Sequence, residues 1–368
     1  MNIIAIGPQR FFSSDGFTGD ATQMRKTTVH LKKLAGVNLV CAFYNQDFEL
    51  ISEAGDRLEW QDLHKIFDVA HIFTLFHHRI PDTISCALAK LPVMLSTVYW
   101  NNCFRELICV RNGDSPRRLL RSLEYIARRI TGYKRQDIQQ WCAGILPNSW
   151  SEGEVFRQTY ALAEHALCYP VPNAIEVPSH AWNLPRPACV PESDYIVYPG
   201  VFARRKNQLA FIKALRDSDY PVVFMGQPQR EYEEYYQECR KRANQNMHFI
   251  GHRSYMDDEY WAVLRHAKIA VLASDCETPG IAMIEAAAMG ARPIITHYGG
   301  TKEYYGISAE YLSPFSQKSI REAVLNGWEK GRLTVEEAAG YERFSWQWTA
   351  ELTLLAYKQV ITNWNTRK

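Results

Sequence analysis

The sequence predicts an α/β protein of two doubly wound units in tandem, and three observations lead to that class. The first is alternation in the second half. Short apolar runs at Tyr195–Tyr198, Pro221–Met225, His248–Ile250, Ile269–Ala273 and Arg292–Thr296 are separated by helical patterns at 207–216, 230–243, 256–266 and 281–289. Brief apolar runs alternating with helices imply a parallel sheet covered on both faces. The second observation is that the first half follows the same scheme less cleanly, with strands near 2–6, 37–43, 69–74, 92–98 and 143–147. The third is the proline-dense stretch between the halves (Pro170, Pro172, Pro178, Pro185, Pro187 and Pro191), which suits an extended connection rather than a helix. The expected division is a first domain over 1–170, a linker over 171–193 and a second domain over 194–345. A last helix over 346–368, with helical spacing and no strand after it, is expected to pack back on the first domain.

A length of 368 residues is enough for two domains, each with its own core. With 46% hydrophobic and 22% charged residues the composition is that of a globular protein, and a net charge of +2 argues against a nucleic-acid binder. The nine cysteines are odd in number and form no CxxC pair, which suits reduced thiols in a cytoplasm. The start, Met1-Asn-Ile-Ile-Ala-Ile-Gly7, reads as a strand rather than a signal peptide. No apolar stretch approaches the roughly 20 residues of a membrane span. The expected location is therefore cytoplasmic.

Glu285 is the only charged side chain in the run Gly280-Ile-Ala-Met-Ile-Glu-Ala-Ala-Ala-Met-Gly290. A helix apolar on nearly every side is a buried helix, and an ionised carboxylate there costs several kcal/mol unless it is paired or hydrogen-bonded. Glu277 stands eight positions earlier, in the loop between the strand ending at Ala273 and this helix. In open α/β sheets, ligands bind beyond the carboxyl ends of the strands, where helix N-termini present free N–H groups. Four other turns of the second half end strands in the same way. Gly200-Val-Phe-Ala-Arg-Arg-Lys-Asn207 sets Arg204, Arg205 and Lys206 at a helix start, where cations oppose the helix dipole. A bound diphosphate would explain them; so would a solvated basic turn. Gly226-Gln-Pro228 and Gly251-His-Arg253 are glycine turns, and Gly299-Gly-Thr-Lys-Glu303 is another that carries an acid. Gly280 lets the N–H groups that open its helix approach a phosphate or sugar.

Taken in order, these segments resemble the family 4 retaining glycosyltransferases of the GT-B architecture, two Rossmann-like doubly wound domains facing each other across a cleft. Glu277-Thr-Pro-Gly-Ile-Ala-Met-Ile-Glu285 resembles the family's Glu-x7-Glu motif, Arg205-Lys206 its basic pair, and Gly299-Gly300 with Glu303 its Gly-Gly-x-x-Glu turn. Pro147-Asn-Ser-Trp-Ser-Glu152, Val171-Pro-Asn-Ala-Ile-Glu176 and Phe344-Ser-Trp346 resemble the segments that close its first domain, open its linker and begin its last helix. The resemblance implies a metal-independent enzyme with no cofactor. Its donor would be a nucleotide-diphosphate sugar, of UDP or GDP. Glu277 would bind the donor sugar and Glu285 the ribose. Arg205, Lys206 and the amides near Gly280 and Ile281 would neutralise the leaving diphosphate. Gly200, Arg204, Gly226, Gly251 and Arg253 would complete the donor side. It further implies transfer to a hydroxyl of a glycan or lipid-linked acceptor, in synthesis of a bacterial surface polysaccharide such as lipopolysaccharide or capsule. The sequence departs from the family in having Val201 after the glycine of the basic loop and Tyr99 where many members carry histidine. Its first glycine-rich turn is only partly present, as Gly16-Phe-Thr-Gly19.

On the acceptor side the candidates are Gly19, Tyr99, Trp100, Asn101 and His77. Trp100 fits a sugar-stacking aromatic or a core anchor, and His71 and His77 fit structural roles equally well. Asp217-Ser-Asp219 has a metal-binding form but precedes a strand, at the wrong end of the sheet, so no metal is expected. The segment 111–135 is basic and amphipathic. Over 100–136 nine Lys/Arg face three acids, which fits either an anionic membrane surface or a solvated helix face. Membrane contact would make the protein peripheral at the inner face. Two other functions compete: a nucleotide-sugar 2-epimerase, which shares paired Rossmann-like domains, and a non-catalytic nucleotide- or glycan-binding paralogue.

Overall fold

The computed structural model describes residues 1–12, 19–75, 80–100, 123, 127, 130–132, 134–136 and 138–367. The chain divides into two compact units, Met1–Ala174 with Phe344–Lys368, and Ile175–Arg343. His77, Asn101, Gly16 and most of the basic segment 111–135 lie outside the described residues.

Strands of the first unit are β1 (Asn2–Pro8), β2 (Asn38–Tyr44), β3 (Leu50–Ser52), β4 (Arg57–Leu58), β5 (Val69–Phe73), β6 (Val93–Ser96), β7 (Gly144–Leu146) and β8 (Leu167–Cys168). Among the described residues they form one sheet in the order β4-β3-β2-β1-β5-β6-β7-β8. It is parallel except at one edge, where β3 and β4 pair antiparallel in a meander. The five strands expected in this half are all present; the meander and β8 are additions. Successive residues of β1 face opposite cores, as the pleat requires. Ile4 and Ile6 pack with Trp141 and Phe156, whereas Ile3 and Ala5 pack with Met24, Ala350 and Tyr357. Helices cover both faces, so the strands read as unbroken apolar runs. The helix Trp346–Asn365, capped by Ser345, packs against the helix Gly19–Leu31.

The second unit holds β9 (Ile196–Pro199), β10 (Val222–Met225), β11 (Met247–Gly251), β12 (Ile269–Leu272), β13 (Arg292–Thr296) and β14 (Glu310–Leu312). The order β11-β10-β9-β12-β13-β14 is parallel throughout. The strand order reverses between β9 and β12, so the loops after these two strands open the crevice where such sheets bind ligands. Residues 175–193 belong to this unit, and the short turn Ala181–Asn183 packs on the helix Asp258–His266. Asp217 and Asp219 are exposed before β10, at the opposite end of the sheet. No helix among the described residues is long and apolar enough to cross a membrane.

His71 proves structural. It is buried in β5, with Nδ1 bonded to the Tyr357 hydroxyl (2.6 Å) and Nε2 to the Ser96 hydroxyl (2.9 Å). Burial pushes its pKa down to about 3, against about 6.5 in an unfolded chain. Between those values the unfolded chain binds the extra proton. The stability this neutral imidazole contributes is therefore present above pH 6.5 and is lost as pH falls towards 3, at about 1.4 kcal/mol per pH unit. Denaturant midpoints measured from pH 7 to 4 should fall more steeply in the wild type than in His71→Gln. Parallel slopes would contradict this account.

Candidate active site

The loops after β9 and β12 are tied together by one backbone bond and by the side chains of Tyr198 and Asn207. Tyr198, at the end of β9, accepts from the Ala273 amide (3.0 Å) and donates to the Lys206 carbonyl. The Asp275 amide donates to the Arg205 carbonyl (2.9 Å), and Asn207 Nδ2 reaches the carbonyls of Ala273 (3.0 Å) and Pro314 (2.8 Å). Glu277 is held from its other side by the loop after β13, where it forms an isolated bridge with Gly299. Its amide donates to the Tyr298 carbonyl, and its carbonyl accepts from the Gly300 amide (3.1 Å). The Tyr305 hydroxyl fixes the turn before the helix Ile281–Ala288 by donating to the carbonyls of Pro279 (2.9 Å) and Gly280 (3.2 Å).

This scaffold brings Lys206 and Glu277 together. Lys206 Nζ donates to Glu277 Oε1 at 2.6 Å, with the side chains 12% and 6% exposed. Burial pushes the Glu277 carboxyl up, but Lys206 and Arg205 outweigh it and hold it below the usual carboxylate range. Arg205 is exposed beside the pair. The helix Ile281–Ala288 begins at Gly280, next to the Glu277 carboxylate, and its first-turn amides at Ile281 and Ala282 have no acceptor within the helix. A buried ion pair, an exposed guanidinium and a helix N-terminus thus converge at the switch point, a setting suited to a polyanion with a polar group attached.

Glu285 is 8% exposed, and it has a partner that the local sequence did not show. The Tyr260 hydroxyl, on the helix Asp258–His266, donates to Glu285 Oε2. Burial nonetheless pushes the Glu285 carboxyl up to about 7, with the Tyr260 bond opposing.

The other candidates on this side are placed unequally. Gly200, Gly226 and Gly251 lie side by side at the ends of β9, β10 and β11, with the Gly200 amide bonded to Met225 and the Gly226 amide to Gly251. A side chain on Gly226 would collide with the Gly200 carbonyl, so this glycine is required by loop-on-loop packing. Arg204 lies over the Tyr235 ring at 5.7 Å. Arg253 is tied to Glu259 and to the carbonyls of Ile250 (2.5 Å) and His252 (3.0 Å). Both arginines are engaged by their own surroundings.

In the first unit, Gly19 opens the helix Gly19–Leu31. Tyr99 follows β6, but its ring is turned into the core, edge-on to Phe156 and Tyr160, and its hydroxyl donates to Thr159 (3.3 Å). Trp100 is half-buried beyond it. The buried Glu152, which the sequence marked only as part of a segment, binds this loop.

Comparison with known proteins bears on the fold and on one segment. Residues 186–324 match the family profile of glycosyl transferases group 1. None of the curated protein sequences matches the chain. Among solved structures, sucrose-phosphate synthase from Thermosynechococcus elongatus superposes with a TM-score of 0.66 at 14% identity, covering 99% of this chain and 100% of that one. HepE of Anabaena, solved in complex with UDP, gives 0.66 at 13%, covering 98% and 100%. The lipopolysaccharide outer core galactosyltransferase WaaB, in its apo form, gives 0.59 at 13%, covering 99% of this chain and 99% of that one. At such identities the likeness is one of fold. The chain therefore has the GT-B fold, two Rossmann-like units, and its residues 186–324 match the glycosyl transferases group 1.

Proposed function

We propose that this protein is a retaining, metal-independent glycosyltransferase. It would move a sugar from a nucleotide-diphosphate sugar, of UDP or GDP, to a hydroxyl of a glycan or lipid-linked acceptor in bacterial surface polysaccharide synthesis. The observation that carries this reading is the Lys206–Glu277 pair at the switch point, beside the N-terminus of the helix Ile281–Ala288. Lys206, Arg205 and the amides of Ile281 and Ala282 receive the diphosphate, so the charge that develops as it leaves meets fixed donors. Glu277 orients a sugar hydroxyl through its second carboxylate oxygen, and Glu285 accepts from the ribose. The acceptor hydroxyl forms the new bond to the anomeric carbon as the bond to the β-phosphate breaks. Its proton passes to an oxygen of the departing diphosphate. The fold likeness to a protein solved with UDP-glucose and to a lipopolysaccharide galactosyltransferase supports the donor class and the pathway class. A lipid-linked acceptor would bring the enzyme to the inner face of a membrane, where the basic segment 111–135 would meet anionic headgroups.

Calorimetry with UDP and GDP tests the donor site, and failure of both to bind would remove the reading. Incubating the nucleotide sugar alone separates transfer from epimerisation, because formation of the 2-epimer would contradict it. Glu285 adds a pH signature. Ribose hydroxyls donate to the carboxylate, so the nucleotide should bind less tightly as pH falls below about 7, by up to about tenfold per unit. Glu285→Gln should lose that slope, and a wild-type affinity that stays flat from pH 8 to 5.5 would exclude the ribose contact.

A further inference from the structure

Glu152 is fully buried on the helix Trp150–Thr159 and carries four hydrogen bonds. Ser149 caps this helix and accepts from the Glu152 amide (3.1 Å). A glutamate three residues after a serine cap ordinarily turns back to the backbone of the cap itself. Glu152 instead reaches outward. Its Oε1 accepts from the Thr97 hydroxyl and from the Tyr99 amide (3.0 Å), and its Oε2 from Asn148 Nδ2 (3.1 Å) and the Asn148 amide (3.3 Å). The Asn148 side-chain carbonyl accepts in turn from Gln23 Nε2 (3.0 Å), on the helix that follows β1. The carboxylate thus joins the carboxyl ends of β6 and β7, and through Asn148 the helix after β1.

The turn it grips is strained. Val98 has a φ of 37°, a conformation that costs a β-branched residue about 1–3 kcal/mol. Its two neighbours, Thr97 and Tyr99, are both bound by the same carboxylate oxygen. Burial of the carboxylate is itself costly and raises its pKa against these hydrogen bonds. A helix cap requires neither cost. With the Tyr99 ring turned into the core, the turn leaves the exposed Val98 and the half-buried Trp100 at the carboxyl end of β6.

We propose that Glu152 is a positioning residue that sets the Val98–Trp100 turn as the acceptor platform, with Trp100 as its sugar-facing aromatic. The proposal rests on the transferase reading above. Glu152→Gln leaves Thr97 and Tyr99 only a neutral, weaker acceptor and turns an amide donor against the two donors of Asn148. The side chain is thereby pushed off its place and the bond to the Tyr99 amide weakens. Thr97→Val removes one donor alone and serves as the second variant if Glu152→Gln does not fold. In either variant the Tyr99 amide should exchange with solvent about tenfold faster. Half-saturation by n-octyl β-D-glucoside with UDP-glucose as donor should rise about tenfold. UDP affinity should stay within about twofold of the wild type, because the donor residues lie in the other unit. A purely structural role would lower the denaturation midpoint and weaken acceptor and UDP together. Wild-type exchange at Tyr99 in a folded variant overturns the clamp, and an unchanged acceptor half-saturation overturns the platform. Exchange at Tyr99 decides even where the wild type does not turn over this substrate pair. Failure of the wild type to bind UDP or GDP would instead count against the transferase reading.

Discussion

Lys206→Ala is expected to reduce nucleoside diphosphate release from the donor by about 10²–10³-fold and to destabilise the second unit by about 3–5 kcal/mol. The two effects share one cause. Lys206 Nζ lies 2.6 Å from Glu277 Oε1, and both groups are nearly out of water. Removing the ammonium takes away the cation that the proposed mechanism sets against the leaving group. It also leaves burial, the largest influence on the Glu277 carboxyl, opposed only by the exposed Arg205 and a hydrogen bond. The sign of the pH dependence should then invert. In the wild type the folded pKa of Glu277 is depressed, so its stabilisation is present above an unfolded value near 4.5 and is lost as pH falls below it. In Lys206→Ala the folded pKa is raised, so the variant should be more stable at pH 5 than at pH 8. Urea midpoints at those two pH values check this. The double variant Lys206→Met with Glu277→Gln removes both charges and should recover most of the stability while remaining inactive. A folded Lys206→Ala protein that transfers sugar at the wild-type rate would exclude Lys206 from the reaction.

Strands of the parallel sheets were legible because each is covered on both faces and so reads as an apolar run. The runs expected near 196, 222, 269 and 292 all appear within a residue or two of their observed positions. Pieces that were missed are short. The β3–β4 meander has three- and two-residue strands, one containing Arg57, and β8 and β14 are similarly brief. Such segments are held by pairing to a neighbour, a property of the sheet rather than of their own composition. The same division runs through the site. Glu285 stood out because a lone acid in an alanine-rich helix conflicts with its surroundings. Its partner Tyr260 sits 25 positions away on another helix, and no local pattern connects the two. Glu152 is legible in the sequence only as part of a segment, yet the clamp proposed for it depends on Thr97 and Tyr99, more than fifty positions earlier. Buried polar pairs of this kind are set by topology, which side-chain periodicity does not encode.

Gly299→Ala should inactivate the protein although residue 299 carries no chemistry. Gly299 has a φ of 107° and faces the Glu277 backbone across an isolated parallel bridge. A Cβ there would overlap the Glu277 carbonyl oxygen and lie 2.9 Å from its carbonyl carbon, both backbone atoms that no rotamer change can move. The backbone conformation is also one that alanine adopts only under strain, so the combined cost is roughly 2–4 kcal/mol. The functional effect should be larger. Pushing the Glu277 backbone away shifts its carboxylate from Lys206, and a displacement of about 1 Å at a positioning group costs about a hundredfold in rate. Gly340→Ala is the matched control, since φ is negative there and nothing lies within 4 Å of the added Cβ. Its stability should stay within about 0.5 kcal/mol of wild type. Donor turnover and urea midpoints for the two variants separate backbone contact from loss of glycine as such. Full turnover in Gly299→Ala would mean that the loop after β13 does not hold Glu277 in place.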